Sequence, residues 1–145
     1  MDVPEHVSKW EVKPGEKARI RFALYEPEKG QLHLTLEEDR RESVVQHWVD
    51  VKIWDFDEMV KLKKKAQQFN EQARTFYIDP DDFNELKLKY LLLAWSFGEL
   101  DPHMKLQHAN GVLTDESMKK VKKIKPWVLA HMLIKINEVL EGIVE

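Results

Sequence analysis

The 145-residue chain contains no cysteine, few glycines and no long apolar run, and each absence excludes a class of site or protein. Without cysteine there are no disulfides, no thiolate metal ligands and no cysteine nucleophile, which fits a reducing compartment. The five glycines are isolated, so the chain has no glycine-rich phosphate loop. The longest strongly apolar run, Tyr90–Phe97, is too short to cross a bilayer, and the first ten residues lack an apolar signal segment. We therefore expect a cytoplasmic protein with no membrane partner.

The composition is that of one ordinary globular domain, and it carries little net charge. Hydrophobic residues make up 43% of the chain and charged residues 34%, which is richer in apolar side chains than a disordered chain. The formal net charge of -3 creates no overall field that would draw the protein to nucleic acid or to an anionic membrane. We expect a single domain over 1–145, divided into a strand-rich part (1–54) and a helical part (55–145).

The strand-rich part alternates between apolar and polar residues. Strands are predicted at Lys17–Leu24, Gln31–Leu36 and Val44–Ile53, separated by turns with proline, glycine or charged residues. The first strand would bury one face, which consists of Ala18, Ile20, Phe22 and Leu24. This spacing predicts a small antiparallel β meander.

The helical part has clear start signals. Asp55 and Glu58 form a capping box for a helix predicted to reach about Arg74, with Phe69 on its apolar stripe and Thr75–Ile78 as a short extended link after it. Asp79-Pro80 opens a second helix through Phe97. A polar loop, 98–113, leads to a short helix, Asp115–Lys123, and to a last helix from Pro126 to about Gly142. The inner stripe of the last helix includes Leu129, Met132, Ile136 and Ile143. The chain is thus predicted to have an α+β fold, in which the N-terminal meander is followed by three to four helices.

Apolar residues exceed what the predicted fold can hide, and the excess predicts protein binding. The helix around Tyr90–Phe97 is apolar nearly all round, so it is either the central helix of the domain or shared with a partner. The five tryptophans are many for this length, and tryptophan often contributes strongly to interfaces. The competing interpretation, above all for Trp48 and Trp95, is that these rings fill the core. Predicted partner-binding residues are Trp10, Leu91, Leu92, Trp95 and Trp127.

Two lysine clusters leave nucleic-acid binding open as the alternative. The candidate contacts to phosphates are Lys63, Lys64, Lys119, Lys120, Lys122 and Lys123. Aromatic side chains of Trp48, Trp54 and Tyr77 could stack on bases beside them. The competing interpretation is a solvated helix face, and the net charge favours it. In the second cluster Met118, Val121 and Ile124 are predicted to face inward.

Catalytic and metal-binding patterns are missing from the sequence. The six histidines, of which His6, His103 and His108 lie in polar segments, form no helical pair with an intervening glutamate of the kind that binds zinc. The acidic pairs fit loops and helix starts, and no serine occupies a Gly-x-Ser-x-Gly elbow. We therefore expect no enzyme activity, no metal and no cofactor.

A resemblance to a phage family is carried by the C-terminal half, roughly 76–143. Leu91-Leu92-Leu93-Ala94-Trp95 matches an "LLxxW" helix, Leu113-Thr114-Asp115-Glu116 an "L-T-x-E" helix start, and Pro126-Trp127-Val128-Leu129 a "P-x-x-V/L" final helix. This half resembles the chaperone-like tail-assembly proteins of long-tailed double-stranded DNA bacteriophages. The first half has no counterpart in that family.

The resemblance implies a function by binding. The protein would hold apolar segments of a tail protein, such as the tape measure, or pack against tail subunits or itself. It would act in the host cytoplasm, either leaving the particle or remaining in the virion. The alternative stays a phage protein that binds single-stranded nucleic acid or modulates transcription.

Overall fold

The protein has an antiparallel sheet followed by helices, in a computed structural model that describes residues 10–142. This order of elements confirms the α+β fold class. Two residues named in the sequence predictions, His6 and Ile143, lie outside the described residues. Within the described range, no helix combines the length and the apolar character needed to cross a membrane.

Four strands form the main sheet, namely β1 (Lys17–Tyr25), β2 (His33–Thr35), β3 (Val44–Lys52) and β6 (Leu92–Trp95). Their order across the sheet is β2-β1-β3-β6, so the first strand lies between the second and the third. β1 and β3 pair antiparallel along their whole length, from Lys17 opposite Lys52 to Tyr25 opposite Val44. The inner face predicted for β1 is confirmed, because Ile20, Phe22 and Leu24 are buried and Ala18 packs against them.

Within residues 10–142, five α-helices follow or interrupt the strands: α1 (Phe56–Lys65), α2 (Pro80–Leu91), α3 (Phe97–Leu100), α4 (Asp115–Lys122) and α5 (Pro126–Leu140). The predicted helix starts are confirmed. Asp55 accepts a hydrogen bond from the Glu58 amide at 2.8 Å, and Asp79 accepts one from the Asp82 amide at 2.9 Å. Both bonds satisfy donors that the first helical turn leaves free, so these starts are determined locally.

The first helix ends nine residues earlier than predicted, because a hairpin replaces its second half. α1 stops at Lys65, and β4 (Gln67–Asn70) then pairs antiparallel with β5 (Thr75–Ile78). The Asn70 side chain accepts hydrogen bonds from the amides of Gln72 and Ala73, both at 3.0 Å. This local turn, closed by Arg74 in the left-handed region at φ 50°, reverses the chain. The prediction of a helix to Arg74 is therefore wrong.

The second helix also ends early, and this changes the predicted binding surface. Leu92–Trp95 forms β6 on the open edge of β3, with Trp95 opposite Val49. Leu91, Leu92 and Trp95 are only 2%, 1% and 2% exposed. The prediction that these three residues bind a partner is wrong, since the chain buries them itself. A short apolar run does not distinguish a buried strand from a helix by its periodicity.

The stretch predicted as a loop, 98–113, is largely structured. It contains the end of α3, a 3₁₀ turn (Pro102–Met104), and a small hairpin of β7 (His108–Ala109) and β8 (Val112–Leu113). The Trp95 indole donates to the Met104 carbonyl at 2.6 Å. At Gly98 a Cβ atom would lie 3.2 Å from the Lys105 Cα, so the close approach of this turn favours glycine.

One hydrophobic core joins the sheet and the helices. Phe22, Val49 and Trp95 of the sheet pack in a cluster with residues of α2, α4 and α5, including Leu88 and Met132. The α4 pattern is confirmed, because Met118 and Val121 are buried and Ile124 packs against the cluster.

Replacing Trp95 with alanine should lower the free energy of unfolding by about 3–5 kcal/mol, because it removes a large core side chain and leaves a cavity. Chemical denaturation of the wild type and the variant measures the change. Trp10→Ala is the matched control: Trp10 is 78% exposed, and its loss should change stability by less than about 0.5 kcal/mol. A loss below about 1 kcal/mol for Trp95→Ala contradicts the core position.

Acidification should destabilise the fold through His47. This imidazole is buried beside the Ser96 hydroxyl at 2.9 Å and stacks on Phe22, and burial lowers its pKa below 6.5. Since the unfolded chain takes up the proton more readily, stability is fully present above about pH 6.5 and falls as the pH drops below it. Burial also lowers the pKa of His131, which adds to the effect.

The free energy of unfolding, measured between about pH 7 and 5, should show this slope, and His47→Gln should flatten it. Because only the slopes of unfolding free energy against pH are compared, a general loss of stability in His47→Gln does not affect the test. Equal slopes for the two proteins would assign the pH dependence to other groups.

Candidate functional site

Large apolar side chains exposed to solvent are most concentrated in the β4–β5 hairpin, residues 67–78. Phe69, Phe76, Tyr77 and Ile78 all lie there. The other large exposed apolar residues are spread over the rest of the described surface, with at most two on any one element, as Trp127 and Ile134 are on α5. The hairpin is therefore the candidate functional site.

The hairpin has one apolar face and one polar face, because side chains alternate along a strand. The register sets Phe69 opposite Phe76 and Gln67 opposite Ile78, which places these four side chains on one face. Phe69, Phe76 and Ile78 are 50%, 62% and 40% exposed, and the two phenyl rings lie 5.1 Å apart. These three residues are called the apolar hairpin face below.

The polar face is the one that connects the hairpin to the body of the protein. The Gln68 amide donates to the Asp82 carboxylate at 2.6 Å, and the Tyr77 hydroxyl donates to the Gln68 carbonyl at 2.7 Å. Both side chains lie on the face opposite to Phe69 and Phe76. The apolar hairpin face is thus turned away from the contact that holds the hairpin in place.

A two-stranded hairpin of this kind is incomplete by itself. All eight strand residues are exposed, and within residues 10–142 neither outer edge pairs with another strand. An isolated two-stranded hairpin is at best marginally stable in water, and it gains stability when another element covers its apolar face. The exposed phenyl rings therefore form a surface suited to binding a protein.

Charges of opposite sign lie on the two chain segments that join the hairpin at its base, where Gln67 pairs with Ile78. Before β4, the second half of α1 carries Lys61, Lys63, Lys64 and Lys65. After β5, the start of α2 carries Asp79, Asp81 and Asp82. Among the described residues none of these seven side chains forms an ion pair. Their positions suit the dipoles of their own helices, and they leave a positive and a negative flank beside one apolar face.

The two tryptophans predicted to bind a partner, Trp10 and Trp127, are both exposed. Trp127 lies under the Lys125 ammonium at 5.0 Å, next to the chain around His33 and Leu34. Trp10 lies at the first described position. Both are surface residues outside the hairpin, so they are separate candidates for contact.

The lysines predicted to bind nucleic acid lie on two separate helices. Lys63 and Lys64 lie on α1 beside the hairpin, while the other four lie on or just after α4, and are Lys119, Lys120, Lys122 and Lys123. In the second group Lys122 pairs with Glu85 at 2.5 Å, and the Lys120 ammonium donates to the Lys105 carbonyl at 3.3 Å. The first group directly precedes the hairpin with its exposed aromatic rings, and the second precedes the exposed Trp127.

Two of the predicted stacking residues are already in contact with the chain itself. The Arg19 guanidinium lies 3.9 Å from the centre of the half-buried Trp48 ring, and Trp54 stacks on Phe83 at 6.1 Å. Tyr77 belongs to the hairpin.

Two histidines in residues 98–113 make local contacts, His108 through its imidazole ring and His103 through its backbone amide. His108 Nε2 lies 2.9 Å from the Leu92 carbonyl, and the His103 amide donates to Asp101 at 3.0 Å. Among residues 10–142 no group of three histidine, aspartate or glutamate side chains is arranged to hold a metal ion.

The sequence predictions missed Phe69 and Phe76 as site residues. The sequence predicts Phe69 on a helix stripe, because alanine, glutamine, glutamate and arginine in 66–74 continue the helical composition of α1 past its true end. A usable signal was the turn-forming Asn70 between two short segments that each contain a phenylalanine.

No protein-family model, no curated protein and no solved structure matches the chain. A function can therefore be proposed only from the geometry of the hairpin and of the charged segments beside it.

Proposed function

We propose that this protein acts without catalysis, by binding another protein through the apolar hairpin face. The observation that carries the proposal is the pair of exposed phenyl rings of Phe69 and Phe76, held on a hairpin whose opposite face is tied to α2. Projecting aromatic side chains supply much contact area for little loss of conformational freedom.

The size of the surface limits what it can bind alone. Full burial of the exposed parts of Phe69, Phe76 and Ile78 removes roughly 300 Å² of apolar surface, given the usual area of such side chains. At about 25 cal/mol per Å² this contributes about 7 kcal/mol. Association itself costs a comparable amount, so the flanks of the hairpin must also contribute to a stable complex.

The biological setting in this proposal is tail assembly of a long-tailed double-stranded DNA phage. It rests on the resemblance of residues 76–143. Two of the segments on which this resemblance depends, at Thr114 and at Pro126, begin helices in the structure. The third segment, which ends at Trp95, is a strand there, whereas the family pattern implies a helix. The partners would be tail proteins, met in the host cytoplasm or within the virion, with Trp10 and Trp127 as further contacts.

The second candidate function is binding of single-stranded nucleic acid. The observation in its favour is the position of Lys63 and Lys64, on the helix that leads into the hairpin with Phe69, Phe76 and Tyr77. Cationic side chains beside exposed aromatic rings can follow a backbone and stack on bases. The acidic residues at the start of α2 oppose this function, because they repel phosphate.

Phe69→Ser together with Phe76→Ser should reduce the recovery of phage tail proteins by about tenfold or more, since it removes the buried centre of the interface. Tagged protein is purified from infected cells, and the co-purifying proteins are quantified by mass spectrometry. Leu36→Ser is the control, because Leu36 is an apolar residue at least as exposed as the two phenylalanines but lies outside the hairpin. Melting temperatures of all three proteins should agree closely. Undiminished recovery of tail proteins with the double variant would refute the proposed surface.

Binding to a labelled oligothymidine should be negligible at about 0.15 M salt if protein binding is the function. Fluorescence anisotropy at several salt concentrations measures it. Tight binding that weakens steeply as the salt concentration rises would instead support nucleic-acid binding, if the combined variant Lys63→Glu, Lys64→Glu abolishes it. Lys119→Glu with Lys120→Glu is the matched control on the other lysine-rich helix.

A further inference from the structure

The two flanks of the hairpin carry opposite charges, and this pattern restricts what can cover it. A partner that is acidic throughout matches the α1 lysines but is repelled by Asp79 and Asp81. A nucleic acid meets the same repulsion. A partner with one acidic and one basic flank on either side of an apolar patch satisfies both, and a second copy of this chain has that pattern.

The apolar area alone is not enough for a stable dimer. Two apolar hairpin faces in contact bury roughly 600 Å² in total, given the usual area of such side chains. Stable protein interfaces bury about 1,200–2,000 Å². A dimer held by the phenyl rings alone is therefore too small, and contacts between the ends of α1 and α2 are needed to complete it.

Symmetry allows two ways to stack identical hairpin faces about a two-fold axis. An axis perpendicular to the strands sets β4 over β4 of the second copy and sends the two bodies to opposite ends. An axis parallel to the strands sets β4 over β5 and keeps both hairpin bases at the same end. Because α1 leads into β4 and α2 follows β5, the second arrangement brings the end of α1 opposite the start of α2 of the other copy.

We infer that the apolar hairpin face is covered by the same face of a second copy of this chain, in a two-fold dimer whose axis runs along the strands. This inference rests on the proposed function, because it keeps the apolar hairpin face as a protein-binding surface, and it assigns a second copy, in place of a tail protein, as what covers that face. In this dimer Lys64 lies opposite Asp81 of the partner subunit, and Asp81 lies opposite Lys64 of the partner subunit. Both side chains belong to exposed residues that form no ion pair within the described chain.

Charge reversal tests the arrangement directly. Lys64→Glu alone creates two carboxylate–carboxylate contacts across the axis, and Asp81→Lys alone creates two contacts between ammonium groups. A mixture of the two variants restores two attractive pairs. We expect each variant to raise the dimer dissociation constant by at least about tenfold, and the equimolar mixture to form a heterodimer with nearly the wild-type constant.

Sedimentation velocity over a range of concentrations measures these constants for the full chain. Lys29→Glu, in a turn, and Asp115→Lys, in the first turn of α4, are the matched controls, and both should dimerise like the wild type. The weakening in the two hairpin variants should shrink as the salt concentration rises, because salt screens exposed charges. Phe69→Ser with Phe76→Ser should be monomeric.

A wild-type protein that stays monomeric up to about 0.2 mM overturns the inference. So does a mixture of the two charge variants that fails to recover the dimer. If the wild type is monomeric while tail proteins still bind through Phe69 and Phe76, the inference fails and the proposed function stands. If the dimer forms as described and no tail protein binds, the inference stands and the role in tail assembly fails.

Discussion

The open edge of β3 is the constraint on which the arrangement of the apolar side chains depends. β1 already pairs with one edge of β3, and an unpaired central strand would leave a row of backbone groups without partners. Leu92–Trp95 leaves the helical path of α2 and covers the other edge. Trp95 and Leu92 are thereby buried in the main core, and the largest group of exposed apolar side chains lies elsewhere, on the hairpin.

Polar side chains hold this junction in register. The Ser96 hydroxyl accepts from the Trp48 amide at 3.1 Å and lies 2.9 Å from His47 Nδ1, so one side chain joins the end of β6 to β3. The buried Asp50 is paired with Arg19 by two bonds of 2.8 and 3.1 Å, which lower the pKa of its carboxyl. Arg19 also covers the Trp48 ring. Each polar group at the centre of the sheet thus has a partner, as buried polar groups require.

The hairpin differs from the rest of the chain in what supports it. The core residues are enclosed by the protein, whereas the hairpin is joined to the body through Gln68 and Asp82 and through its two helical neighbours. Its aromatic rings face away from that contact, and its flanks differ in charge. A surface that exposes phenyl rings and opposite charges on a small projecting element is better suited to association than to chemistry on a small molecule.

The sequence by itself determined the fold class, the three N-terminal strands and the starts of α1, α2, α4 and α5. The starts of α1, α2 and α4 depend on hydrogen bonds between neighbours, such as Asp55 with Glu58 and Asp79 with Asp82, and α5 begins at a proline, so the order of residues already contains these signals. Only the tertiary structure decided where α2 ends, because the choice between helix and strand for Leu92–Trp95 depends on the edge of β3, more than forty residues earlier. It also decided which apolar residues are exposed. Trp95 and Phe76 are both large and apolar, and what separates them is whether another part of the chain lies over them.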